Sequence, residues 1–292
     1  MNGVIRFTFC FMLMVILSGC TALSPVSTQT GPPPTPIPAT PTLFRPANTL
    51  LAADKLAENK VNDKVFYTLP GMDQVTVANV PYNWIPLQMD IYYPPGFDFG
   101  SPVPAVIFIN GFPNTRNRLE SGPFISWGQL AAASGLIGIN YQTSDWALGD
   151  TRSLIKFILA NAHSLGVDKE QLCLWSASSN VQVALDLIVD EEGNYQDSLS
   201  CSVVYYGFDE TKEVNIPPSN LPLLVVKAGL DDPATNAGID KLVSKAKAAG
   251  LLVELIEYKE GEHGFDIKQD TDETRAIISR TLEFMKEKLT AP

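Results

Sequence analysis

The sequence has little of what would widen its chemistry. Only two histidines and four cysteines occur in 292 residues. No Cys/His grouping has metal-ligand spacing, so neither a metal nor an organic cofactor is expected. Basic residues are outnumbered, 21 Lys and Arg against 32 Asp and Glu, and the formal net charge is −11. That balance argues against a nucleic-acid-binding surface and a basic membrane-binding face. No internal repeat is apparent, so a repeat architecture is not expected.

The N-terminus is rich where the rest is plain. Arg6 precedes an apolar run over residues 7–17, which ends in Leu17-Ser-Gly-Cys20. Roughly a dozen apolar residues are too few for a stable bilayer-spanning helix, which favours a removed signal over a permanent anchor. The pattern resembles a bacterial lipoprotein signal, and the resemblance implies cleavage after residue 19, acylation of Cys20 and export to the outer face of a membrane. Loss of Arg6 would take the net charge from −11 to −12, because residues 1–19 hold no other charge. Residues 20–48 are dominated by Pro, Thr and Ser around Gly31-Pro-Pro-Pro-Thr-Pro. Such a segment cannot bury a core and is expected to be an extended tether reaching on the order of 80 Å. Residues 49–292 suit one α/β domain.

That domain is organised around Gln171-Leu-Cys-Leu-Trp-Ser-Ala-Ser-Ser-Asn180, where an apolar run ends in small residues and a helical pattern starts at once. Val181, Ala184, Leu187 and Ile188 fit the buried face of a helix. Strand, sharp turn and helix are the context of a nucleophile elbow, whose strained backbone demands small residues two before and two after the nucleophile. Ser176 would have Leu174 at the first of these positions, and Ser179 would have Val181 at the second. Only Ser178 has compact neighbours on both sides, Ser176 and Asn180, although glycine is usual at each.

Strands and helices alternate through the rest. Residues 74–78 and 87–93 read as antiparallel edge strands. The continuous apolar run Ala105-Val-Ile-Phe-Ile reads as a central strand buried on both faces. Further strands are expected at 135–140, 201–206, 223–228 and 252–258. Helices are expected at 125–134, from an Asp150 cap to about Gly166, at 236–249 and at 272–289. The sum is a mostly parallel sheet of about eight strands flanked by helices, with the ligand site at the carboxyl ends of its strands. Cys173 and Cys201 fall in buried strands. A disulfide between neighbouring parallel strands is geometrically awkward, so two free thiols are expected.

A serine hydroxyl near pH 7 needs a base, normally an imidazole oriented by a carboxylate. His163 lies within a helix ahead of Ser178, whereas His263 stands in a glycine-flanked loop after the last strand. The acid is expected between nucleophile and base, at Asp231 or, as the alternative, Asp232, of which only one can face the imidazole. Asp266 is a remoter choice, read as structural. Oxyanion donors are expected from the backbone N–H groups of Ser179 and Phe112, with Gly111 permitting close approach. Phe112, Phe124, Trp127, Trp146 and Phe208 are available as an apolar wall.

With these residues in place the chain resembles the α/β-hydrolases, in particular dienelactone-hydrolase-like and prolyl-oligopeptidase-like serine hydrolases. The similarity runs from about Leu87 to Leu289. It rests on Asp90-Ile-Tyr-Tyr-Pro, Ala105-Val-Ile-Phe-Ile-Asn-Gly, Leu172-Cys-Leu-Trp-Ser-Ala-Ser, Ala228-Gly-Leu-Asp and Gly261-Glu-His-Gly-Phe-Asp. It implies Ser178 as nucleophile, Asp231 as acid, His263 as base, and a small-molecule ester as substrate. Dienelactone hydrolases proper use a cysteine where Ser178 stands, Asn110 replaces the histidine of their common His-Gly pair, and both elbow glycines are absent. A binding protein without activity, a peptidase and an acyltransferase are the alternatives on the same cleft. Between Tyr206 and Leu221, where many relatives insert a helical lid, only a short polar loop is expected.

Overall fold

Alternation within the central strands decides where the helices go. In β4 (Val103–Phe108), Ala105 and Ile107 face one side of the sheet and Val106 and Phe108 the other, all four fully buried. In β6 (Val167–Ala177), Leu172 and Leu174 alternate in the same way with Cys173 and Trp175. Strands apolar on both faces need cover on both. Helices α2 (Ala147–Leu165), α3 (Val181–Ile188) and α4 (Pro233–Ala248) cover one face, and α1 (Gly122–Ala133) and α5 (Asp272–Leu289) the other. The structure, a computed structural model, describes residues 51–52, 64–84, 87–111, 121–190, 193, 195–208, 216 and 220–290. The signal and tether expected over residues 1–48, Cys20, Phe112 and most of the loop between Tyr206 and Leu221 lie outside the described residues.

The other strands are β1 (Leu51–Ala52), β2 (Thr76–Pro81), β3 (Gln88–Tyr93), β5 (Ile137–Tyr141), β7 (Leu199–Tyr205), β8 (Pro222–Ala228) and β9 (Leu252–Tyr258). They form one sheet in the order β1-β2-β3-β5-β4-β6-β7-β8-β9. The pairs β1–β2, β2–β3 and β3–β5 are antiparallel, and all pairs from β5–β4 to β8–β9 are parallel. The eight expected strands are present, and the two-residue β1 adds a ninth at one edge. From β4 the chain moves to β5 on one side and then returns to place β6 on the other. The loops after β4 and β6 therefore diverge at a topological switch point, where open α/β sheets form ligand crevices.

Three expectations are corrected. Cys173 and Cys201 are joined in a disulfide. They are direct partners in the β6–β7 register with Cα atoms 4.7 Å apart, beside a register shift between Leu172 and Cys173. The spacing between neighbouring strands already falls within the range a disulfide spans, so direct register partners can be joined. Asp150 does not cap α2 from outside. The helix starts at Ala147, and Asp150 sits in its first turn, accepting from the N–H and hydroxyl of Ser144, each at 2.6 Å. Helix α4 starts at Pro233, ahead of the expected residue 236. Asp232 is its N-cap and accepts from the N–H of Ala234 at 2.8 Å, with Pro233 in the first turn, where a missing donor costs nothing.

Candidate active site

The turn after β6 carries backbone strain. Ser178 has φ +56°, a left-handed conformation that non-glycine residues avoid at a cost of roughly 1–3 kcal/mol. Its neighbours hold it there. Ser176, two residues before, is fully buried and donates from its hydroxyl to the carbonyl of Val203 in β7 at 3.0 Å. Asn180, two residues after, is buried, and its Oδ1 accepts from the N–H of Gly111 at 3.0 Å. The residues replacing the usual glycines thus fasten the elbow to the strands on either side. Gly111 is needed for space, since a Cβ there would lie 2.5 Å from Val183. Its own N–H is taken by Asn180, so it is not a free donor.

The loops after β8 and β9 are bound together by backbone hydrogen bonds. Gly229 donates to the carbonyl of Tyr258 at 2.7 Å, and Leu230 to that of Gly261 at 2.9 Å. This fixes Asp231 opposite His263. His263 Nδ1 lies 2.7 Å from Asp231 Oδ2, and its Nε2 lies 2.8 Å from Ser178 Oγ. An ionised carboxylate can only accept, so Nδ1 carries the proton and Nε2 is left to accept from the serine hydroxyl. The other Asp231 oxygen accepts from the N–H of Asp232 at 2.7 Å. Asp231 is thus brought to the imidazole, while Asp232 turns to the helix. His163 is exposed on α2, remote in role from this cluster.

Ser178, Ser179 and His263 line a cavity of about 490 Å³. Trp146 and Phe208, two of the expected wall residues, also line it, and Leu148 and Val183 add aliphatic surface. Phe124 and Trp127 instead are buried on α1 in the core. Asp266 is also buried, 1% exposed, and makes no bond to the imidazole. It accepts from Tyr206 Oη at 2.6 Å and from Trp127 Nε1 at 3.0 Å. Burial pushes its carboxyl up, and the bonds from Tyr206 and Trp127 oppose that shift.

Two further residues of the site are not evident from sequence. Gly207 lies against the elbow so closely that a Cβ would sit 2.1 Å from the Ser178 carbonyl oxygen. Tyr206 has φ +29°, and its ring stands edge-on to His263 at 5.0 Å. The local signal for both is Tyr206-Gly-Phe at a strand end, which marks a loop and gives neither residue a role.

Residues 188–289 match the dienelactone hydrolase family, a stretch that includes Asp231 and His263 and begins after Ser178. No curated relative matches the chain. Among solved structures, a bacterial heroin esterase superimposes with a TM-score of 0.62 at 16% identity, covering 77% of this chain and 88% of that one. Esterase 2 of Thermogutta terrifontis, phosphorylated by paraoxon, gives 0.59 at 17% identity, covering 74% and 93%. MGS-M1, an α/β hydrolase from a Medee basin deep-sea metagenome library, gives 0.57 at 15%, covering 75% and 99%. At such identities the likeness establishes the fold.

Proposed function

We propose that this chain, an α/β-hydrolase by fold with a dienelactone-hydrolase-like C-terminal segment, is a serine hydrolase that cleaves carboxylic esters. The observation that carries the reading is the unbroken hydrogen-bond chain from Ser178 through His263 to Asp231, opening on the cavity from a strained strand-to-helix turn.

Ser178 Oγ bonds to the ester carbonyl carbon as its proton passes to His263 Nε2. Asp231 holds the imidazole in the required tautomer and offsets the positive charge that forms on it. Collapse of the tetrahedral intermediate breaks the bond to the leaving alcohol, which takes that proton. A water then gives its proton to the same nitrogen and attacks the acyl carbon; Ser178 leaves and recovers the proton. The oxyanion would be held by the backbone N–H groups of Ser179 and Phe112, each worth roughly 3 kcal/mol of barrier.

A fluorophosphonate probe and short p-nitrophenyl esters test the reading on detergent-solubilised full chain. Labelling and hydrolysis that both vanish in Ser178→Ala are expected. Folded protein that is neither labelled nor active would make it a binding protein. Faster turnover of an aminoacyl amide than of the esters would make it a peptidase.

We further propose that the protein is exported and anchored by lipid on Cys20. The Cys173–Cys201 disulfide supports an oxidising compartment, and several acyl chains would hold the chain firmly where one is marginal. Metabolic labelling with an alkynyl fatty acid should mark the wild type and not Cys20→Ala; equal labelling would end this proposal.

A further inference from the structure

Asp266 is a buried carboxylate that the mechanism above does not use. Its neutral partners, Tyr206 and Trp127, offset only part of the cost of burying it. An apolar side chain of similar volume would fill the same space at lower cost. What the carboxylate adds is a fixed point for Tyr206. That ring is enclosed by Tyr205 at 5.6 Å, Phe265 at 5.5 Å and His263 at 5.0 Å, and its hydroxyl ends on Asp266 Oδ1. His263, Phe265 and Asp266 belong to one turn, so the segment that carries the imidazole also grips Tyr206. The next residue along the chain, Gly207, rests on the Ser178 carbonyl. The Tyr206-Gly207 pair therefore touches the imidazole through the tyrosine ring and the Ser178 turn through Gly207.

We infer that Asp266 is a positioning residue that, through its hydrogen bond to Tyr206, sets the separation of Ser178 and His263. The inference rests on the triad reading and adds a fourth and a fifth residue to it. Loss of the Tyr206–Asp266 bond lets the ring turn, removes the wall behind the imidazole and loosens the turn that carries it. Misplacement of this kind lowers kcat by tenfold to about a hundredfold, while substrate binding, which does not use the bond, holds KM within about twofold.

The test is steady-state hydrolysis of p-nitrophenyl acetate by full-chain Tyr206→Phe, Asp266→Leu, their double variant and Trp127→Phe, with circular dichroism to measure the folded fraction. Tyr206→Phe and Asp266→Leu should each lower kcat per folded molecule with KM nearly unchanged. The double variant should be no worse than the poorer single one, because both remove one contact. Trp127→Phe removes the other bond to Asp266 and should keep wild-type kcat. Wild-type kcat in Tyr206→Phe, additive losses in the double variant, or an equal loss in Trp127→Phe would each overturn the inference. If Asp266→Leu does not fold, Tyr206→Phe against Trp127→Phe decides alone. Failure of the triad reading looks different: the wild type itself would neither hydrolyse the ester nor react with a fluorophosphonate.

Discussion

Two aspartates in this molecule are buried to nearly the same degree and treated in opposite ways. Asp190 has a side chain 3% exposed and receives the Arg152 guanidinium in a two-pronged bond, Nε at 2.7 Å and Nη2 at 2.8 Å, with Tyr195 Oη adding a third donor at 2.7 Å. Asp231 has a side chain 5% exposed and receives an imidazole N–H and one backbone N–H. A full positive charge stands against the first carboxylate from the start. The second acquires one only when His263 takes a proton. The Asp190 cluster therefore ties α2 to the end of α3, whereas in the proposed reaction the Asp231 cluster would be at its electrostatic best in the state that follows proton transfer from Ser178.

The contrast breaks most sharply at the Asp231 cluster, where activity and stability should part company. Ser178→Ala is expected to lower kcat for p-nitrophenyl esters by about 10⁶-fold with unchanged folding, measured by burst and steady-state kinetics. Asp231→Asn should follow at about 10⁴-fold, because an amide no longer selects the tautomer that leaves Nε2 free. Both should leave thermal unfolding close to wild type.

Stability changes come next and belong to the other side of the comparison. Replacing both Cys173 and Cys201 by alanine opens a link across a sequence separation of 28 and should cost about 3–4 kcal/mol in urea unfolding. Arg152→Met strands the Asp190 carboxylate and should cost about 3 kcal/mol, with kcat of the folded protein unchanged. Adding Asp190→Leu should recover much of that loss, which no second substitution at Asp231 would do for activity. The smallest expected effect is that of Asp232→Ala, about 1 kcal/mol from the lost cap of α4, with kcat near wild type. A large fall in kcat there would mean that the two neighbouring aspartates share the role assigned to Asp231.

What is legible in the sequence is whatever local pattern records. Ala105-Val-Ile-Phe-Ile is apolar at every position because both faces are covered, and the sheet follows from that and from the helical spacing after Ser178. The meeting of Ser178, Asp231 and His263 at one rim is readable because loops at the carboxyl ends of parallel strands converge whatever their distance along the chain. Pairings that depend on register or on depth are not readable. Nothing local says that Cys173 faces Cys201 beside an irregularity in the ladder, or that Arg152 reaches Asp190 across 38 residues. In sequence Asp266 is only a spare acid three residues from a histidine. Its bond to Tyr206, 60 residues away, depends on how the turn after β9 lies over the end of β7.

The contact between Gly207 and the Ser178 carbonyl bears on any effort to redesign this cleft. Libraries meant to enlarge the cavity have room to vary Trp146 and Phe208, which border the same space. Position 207 offers no such latitude, because even a methyl group would collide with the backbone of Ser178. A screen that randomises all three sites together would discard most clones for that one cause.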